Sequence, residues 1–178
     1  MKMNEKRGLI HIYCGNGKGK TTAALGLAIR AAGAGKKVLL VQLLKGNPTS
    51  ELESLALIPS ITVIRPEKSF GFTFNMTDDQ KAELTDIHNR LISRAFDAMN
   101  DELDMLIIDE FFGAYNKKLV DRGLADRVVF EKSEHCELVL TGRDPDEKFI
   151  EAADYVSRIE CVKHPYLQGI TARKGIEF

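Results

Sequence analysis

The stretch Gly15-Asn16-Gly17-Lys18-Gly19-Lys20-Thr21-Thr22 holds the residues whose types and spacing bear most directly on chemistry. Glycines let the backbone turn tightly and expose successive N–H groups as a nest for an anion. A helix opening near Thr21 would aim the positive end of its dipole at the same point. Lys20 is then placed to reach phosphate oxygens and the Thr21 hydroxyl to coordinate Mg²⁺, the arrangement that binds ATP and its relatives. The strict GxxxxGK[ST] pattern wants Gly at position 14, where this chain has Cys14; its glycines stand at 15, 17 and 19. A Gly/Lys-rich surface turn would have the same composition. It would not follow a strand and open a helix, as this segment does.

A second element is Leu106-Ile107-Ile108-Asp109-Glu110. An apolar strand ending in two acids sets carboxylates at the carboxyl edge of a sheet, where Asp109 or Glu110 can bind Mg²⁺ directly or through water. Alone, such acids are ordinary solvated strand caps. Beside a phosphate loop they read as a metal site.

The elements that must carry these groups alternate between strand and helix patterns. Strands are expected at Leu9–Cys14, Lys37–Leu44, Ile61–Arg65, Met105–Asp109, Glu137–Thr141 and Tyr155–Val162. Helices are expected at Thr21–Ala34 (stripe Ala24, Leu27, Ala28, Ala31), Ser50–Ile58, Asp78–Asn100 (stripe Leu84, Ile87, Leu91, Ala95, Met99), Ala125–Glu134 and Pro145–Ala153. Residues 66–77 are irregular and the tail from His164 has no clear period. Strand–helix units of this length imply one α/β domain over residues 1–178, a mostly parallel sheet with helices on both faces. Ligands bind such sheets at the carboxyl ends of the strands.

Composition excludes several classes. Among 178 residues, 25 Lys and Arg balance 26 Asp and Glu, so a nucleic-acid or membrane-surface binder is not expected. No apolar stretch is long enough to span a bilayer. Cys14, Cys136 and Cys161 are odd in number and lack a CxxC, which argues against a disulfide framework or cysteine zinc site and for a reduced, cytoplasmic setting.

The guanine-reading NKxD of GTPases has only Asn116-Lys117-Lys118-Leu119 as a candidate, with Leu where Asp is needed. Thymidine-kinase-type enzymes share a phosphate loop and an Asp-Glu strand end, but usually carry a cysteine zinc lasso that is absent here. An ordered set of motifs resembles another family, the phosphate-loop ATP:corrinoid (cob(I)alamin) adenosyltransferases. It comprises the loop through Ala23-Ala24, Val41-Gln42 with Lys45-Gly46, Gly71-Phe72-Thr73-Phe74, Ile108-Asp109-Glu110, Thr141-Gly142-Arg143, Ala152-Ala153-Asp154, Lys163-His164-Pro165 and Lys174-Gly175-Ile176-Glu177.

The resemblance implies a RecA-like phosphate-loop domain that transfers the 5′-deoxyadenosyl group of ATP to the cobalt of a reduced corrinoid and releases triphosphate. It implies ATP lying reversed in the loop, so that its 5′-carbon faces the corrin. Thr21 and Glu110 resemble the direct Mg²⁺ ligands. Arg30 matches a basic active-site position, otherwise a surface helix arginine, and His164 matches a histidine near the nucleotide. Phe72 and Phe74 match aromatics that fill the lower corrin face and displace the axial ligand, easing reduction of cobalt(II); the second is Trp in familiar members. By spacing alone the two phenylalanines would share one face of a buried strand, and the flanking Pro66, Gly71 and Asn75 equally suit a loop over a ligand. A homodimer and a flavoprotein electron donor are family expectations. Some members carry a helical extension over the site; with about eight residues before Leu9, that cover is expected to be absent, rebuilt or unnecessary. Two other classes remain open: a phosphate-loop small-molecule kinase or ATPase, and a nucleotide-gated binding module.

Overall fold

Val38-Leu39-Leu40-Val41-Gln42 and Met105-Leu106-Ile107-Ile108-Asp109 are buried at every position. A strand takes that pattern when it has neighbours on both edges and helices on both faces. In the computed structural model, which describes residues 7–71, 73–99 and 102–177, these two strands lie side by side near the middle of a six-stranded sheet.

The strands are β1 (Ile10–Cys14), β2 (Val38–Gln42), β3 (Ile61–Ile64), β4 (Met105–Asp109), β5 (Glu137–Thr141) and β6 (Tyr155–Arg158), in spatial order β3-β2-β4-β5-β1-β6. Every pairing is parallel, so the expected mostly parallel sheet is wholly so. The helices are α1 (Lys20–Gly33), α2 (Glu51–Leu55), α3 (Asp78–Met99), α4 (Phe111–Asn116), α5 (Arg122–Phe130) and α6 (Glu147–Ala152). Ala24, Ala28 and Ala31 of α1 close one face over Val38, Leu40, Met105, Ile107 and Val139. Their small side chains let the helix that carries the phosphate loop lie close to the sheet. The other face is filled from Leu39, Val41, Leu106 and Ile108 outward by α3, α4, α5 and Phe149 of α6. One α/β architecture with helices on both faces thus holds all six strand ends on one edge.

Several boundaries differ from the expected ones for physical reasons. β6 stops at Arg158 because its partner β1 ends at Cys14; Ile159 then donates its N–H to the Cys14 carbonyl and accepts the Gly17 N–H instead. The start of α5 is set by Asp121, whose carboxylate caps the Leu124 N–H at 2.8 Å, three residues ahead of the expected start at Ala125. On α3 the buried stripe is Leu84, His88, Ile92, Ala95 and Met99, with Ile87 and Leu91 half-buried. A histidine serves as a core residue there because its ring nitrogens meet the carbonyls of Leu119 (2.7 Å) and Leu43 (2.8 Å). Burial draws its pKa below the ordinary value, and those two carbonyls oppose the shift. α4 was not expected: six residues are too few to show a helical period.

Candidate functional site

β1 ends at Cys14 and the chain turns through Gly15 (φ 99°) and Gly19 (φ 119°), left-handed values that glycine adopts without strain. A Cβ on Gly15 would lie 2.4 Å from the Ile159 carbonyl, so glycine is required there sterically as well. Gly15 N–H donates to the Arg143 carbonyl (3.1 Å) and Gly17 N–H to Ile159 (2.8 Å), while Asn16 Oδ1 accepts the Cys161 N–H (3.0 Å). The loop is therefore strapped on both sides before the helix starts. Gly19 caps α1 without a side-chain bond. The N–H groups of Lys20, Thr21 and Thr22 belong to a first turn that has no intrahelical acceptors, which is the condition for holding an anion. Lys20 Nζ rests on the Gly17 carbonyl at 2.7 Å.

This loop lines a cavity of about 630 Å³, walled also by Lys45, Glu51, Glu110, Arg143, His164 and the tail residues Gly175–Glu177. Lys18 Nζ lies 3.4 Å from Glu177 Oε1. Arg173 on the same tail bonds that carboxylate and holds its pKa at about 2, helped by Lys18.

The two carboxylates expected to serve a metal have different surroundings. Asp109, last residue of β4, is fully buried. Its Oδ1 accepts from the hydroxyls of Thr141 (2.6 Å) and Thr21 (2.9 Å), and its Oδ2 pairs with Lys45 Nζ at 2.8 Å. Thr141 also accepts the Glu110 N–H at 3.0 Å, so one hydroxyl fixes both acids. Glu110 adopts φ 61° at the start of α4 and lines the cavity. Burial raises its pKa above the ordinary value, and the neighbouring charge of Asp109 raises it further; Lys45, Lys20 and Arg143 oppose this. Thr21, Asp109 and Glu110 together offer only oxygen donors, the set a hard cation prefers. Among the described residues no cluster of three His, Cys, Asp or Glu surrounds them. A cation here would fill its shell from phosphate and water.

A second cavity of about 520 Å³ adjoins the first and shares Lys45, Glu110 and Arg143 with it. Its far wall is made by Leu44, Gly71, Thr73, Phe112, Asn116 and Lys117, with Lys117 Nζ donating to Thr73 Oγ1 at 2.7 Å. Phe74 occupies a 3-10 turn, Thr73–Asn75, with 80% of its surface exposed, so the buried-strand reading does not hold for it. Phe72 lies outside the described residues, as does most of the segment before Leu9.

The remaining expected residues divide. His164 lines the loop cavity, its Nδ1 accepting the Tyr166 N–H at 3.1 Å. Arg30 is not brought there. It sits in the last turn of α1, about 15 Å along the axis from Lys20, in a separate depression with Lys36, Asp104 and His135.

The family model for ATP:corrinoid adenosyltransferases (BtuR/CobO/CobP) matches residues 6–178. The chain belongs to that family. Among curated relatives, the corrinoid adenosyltransferase of Escherichia coli K12 is 34% identical over 179 residues, covering 98% of this chain and 87% of that protein. The corrinoid adenosyltransferase of Pseudomonas aeruginosa is 32% identical over 176 residues (98% and 85%), and corrinoid adenosyltransferase CobA of Salmonella typhimurium is 33% identical over 178 (98% and 87%). In this adenosyltransferase family member, three site residues carry roles that sequence reasoning did not assign: Lys45 on Asp109, Thr141 between the acids, and Arg143 between the cavities. Each stands just past or at the end of an apolar strand and within a segment that the family resemblance picks out, but neither signal says what the side chain touches.

Proposed function

We propose that the protein transfers the 5′-deoxyadenosyl group of ATP to the cobalt of a reduced corrinoid, cob(I)alamin or cobinamide, and releases triphosphate. The observation that carries this reading, beyond family membership, is the pair of adjoining cavities whose common wall is Lys45, Glu110 and Arg143. A triphosphate seated on the loop leaves the second cavity for the other substrate. Cobalt(I) is itself the nucleophile: its electron pair forms the cobalt–carbon bond as the bond from the 5′-carbon to oxygen breaks. The protein therefore needs no catalytic base. Its work is to hold the carbon in line and to stabilise the leaving triphosphate.

The first-turn N–H groups of α1, Lys18 and Lys20 are disposed to bind the phosphate oxygens. Thr21 and Glu110 would hold Mg²⁺, with Asp109 behind Thr21, and that ion would supply charge neutralisation on the triphosphate. His164 would bound the nucleotide. Phe74, in the turn that begins at the cavity-lining Thr73, would press on the lower corrin face together with Phe72. A homodimer is supported by the exposed apolar side chains of the tail, Val162, Tyr166 and Leu167. A flavoprotein donor would deliver the electron that makes cobalt(I). The three free cysteines fit a cytoplasmic setting, and no described helix is long and apolar enough to cross a membrane.

The test is to mix the protein with ATP, Mg²⁺ and chemically reduced cobalamin, following the spectrum of the light-sensitive adenosyl product and assaying triphosphate. Release of ADP and phosphate without a cobalt–carbon product would instead establish a kinase or ATPase, and no turnover a binding module.

A further inference from the structure

Lys45 occupies an unusual position for a residue of a phosphate-binding cavity. Its ammonium lies 2.8 Å from Asp109 Oδ2, donates to Thr21 Oγ1 at 3.3 Å, and stands 3.9 Å from Glu51 Oε1. The first of these atoms belongs to the carboxylate behind the proposed metal ligands, and the second is the Thr21 hydroxyl that would itself ligate the metal. Asp109 is fully buried, and an unpaired carboxylate there would be strongly unfavourable. Lys45 supplies the missing positive charge. A divalent cation cannot share that space with an ammonium, because like charges a few ångströms apart in a half-buried site repel strongly.

The backbone and side chain of Lys45 are held very differently. Its carbonyl accepts from Arg65 Nη2 at 2.6 Å, and a Cβ on the next residue, Gly46, would fall 2.5 Å from Ser69 Cα. The main chain is thus locked between two segments. The four-carbon stem is the part left to move, and it lines both cavities.

We propose that Lys45 is a resident counter-ion that fills the metal's seat in the nucleotide-free protein and exchanges with it. When the metal arrives with the triphosphate, the ammonium leaves Asp109 and Thr21 and turns to the phosphate oxygens. The site then keeps its charge balance at each stage, and Lys45 becomes a further group on the leaving triphosphate. This inference rests on the proposed metal site.

The experiment titrates Mn²⁺ into the full chain by electron paramagnetic resonance, with and without ATP, for the wild type, Lys45→Met and Lys45→Arg. Without nucleotide, Lys45→Met should bind Mn²⁺ at least about tenfold more tightly than the wild type, since the ammonium no longer competes for the site. The same variant should bind inorganic tripolyphosphate more weakly in metal-free buffer. Lys45→Arg keeps the charge over Asp109 and secures the fold. Its guanidinium grips a carboxylate in two places, so Mn²⁺ binding in the presence of ATP should fall. Unchanged or weaker Mn²⁺ binding by nucleotide-free Lys45→Met, or by Lys45→Arg an affinity equal to wild type with ATP, would overturn the exchange. A wild type that takes no Mn²⁺ even with ATP would instead refute the metal site on which the exchange rests.

Discussion

Replacing Thr141 by Val removes one oxygen from a side chain that is 1% exposed and puts back a methyl group of nearly the same shape. No cavity opens, so the whole cost falls on hydrogen bonding. The buried Asp109 carboxylate loses its shortest bond, 2.6 Å from the Thr141 hydroxyl, and a bond to a charged group contributes about 1.5–3 kcal/mol. The Glu110 N–H loses its acceptor at 3.0 Å, which costs about 1–3 kcal/mol where water cannot replace it. Together these give about 2.5–6 kcal/mol, and for a domain of this size roughly a 10 °C fall in the unfolding midpoint. Thr141→Ser keeps the hydroxyl and forfeits one methyl, about 1 kcal/mol. Calorimetry or urea unfolding of both variants, repeated on an Asp109→Asn background, isolates the term. In that background Thr141→Val should cost at least 1 kcal/mol less, because the charge it served is gone. A loss below about 1 kcal/mol in the otherwise native chain, or the same loss in both backgrounds, would refute the view that one hydroxyl holds both acids.

Lys20→Ala should lower kcat by about 10²–10³ with both cobalamin and cobinamide, as loss of a group that stabilises a leaving anion does; a change under tenfold with either corrinoid would remove Lys20 from that role. Phe72→Ala should slow the coupled reaction that starts from cob(II)alamin more than the reaction with pre-reduced cob(I)alamin. Equal losses in the two assays would end its assignment to axial-ligand displacement. Of the three cysteines only Cys161 is exposed, while Cys14 is buried and burial pushes the Cys136 thiol up to about 11. A thiol reagent at pH 8 should therefore modify one residue quickly, and Cys161→Ser should abolish that phase; two fast thiols in the native protein would contradict the packing of β1 or β5.

The phosphate loop was legible because its meaning is local. Glycine spacing, a preceding strand and a following helix all lie within some twenty residues, and backbone sterics and helix ends act over that range. The acids closing β4 were legible for the same reason, since an apolar run announces a buried strand and marks its end. Phe74 was ambiguous because a period of two describes a strand and a turn equally over three residues. The stripe on α3 was displaced because His88 counts as polar by type; only the carbonyls of Leu119 and Leu43, brought to it by distant segments, make it a core residue.

By itself the sequence determined the alternation of strands and helices, the glycine loop between the first strand and its helix, the paired carboxylates and the family to which their order belongs. Tertiary structure decided which of the many strand-end residues meet. β5 lies between β4 and β1, so Thr141 reaches Asp109 across 32 positions and separates it from the loop strand. β2 lies on the other side of β4, so Lys45 arrives over the same carboxylate, and Arg30, on the helix that begins at the loop, is carried away from it. Strand order is set by burial summed over the whole sheet rather than by any residue's neighbours in the chain. For that reason the network around Asp109, with Lys45 over its carboxylate, emerged only when the sheet was assembled.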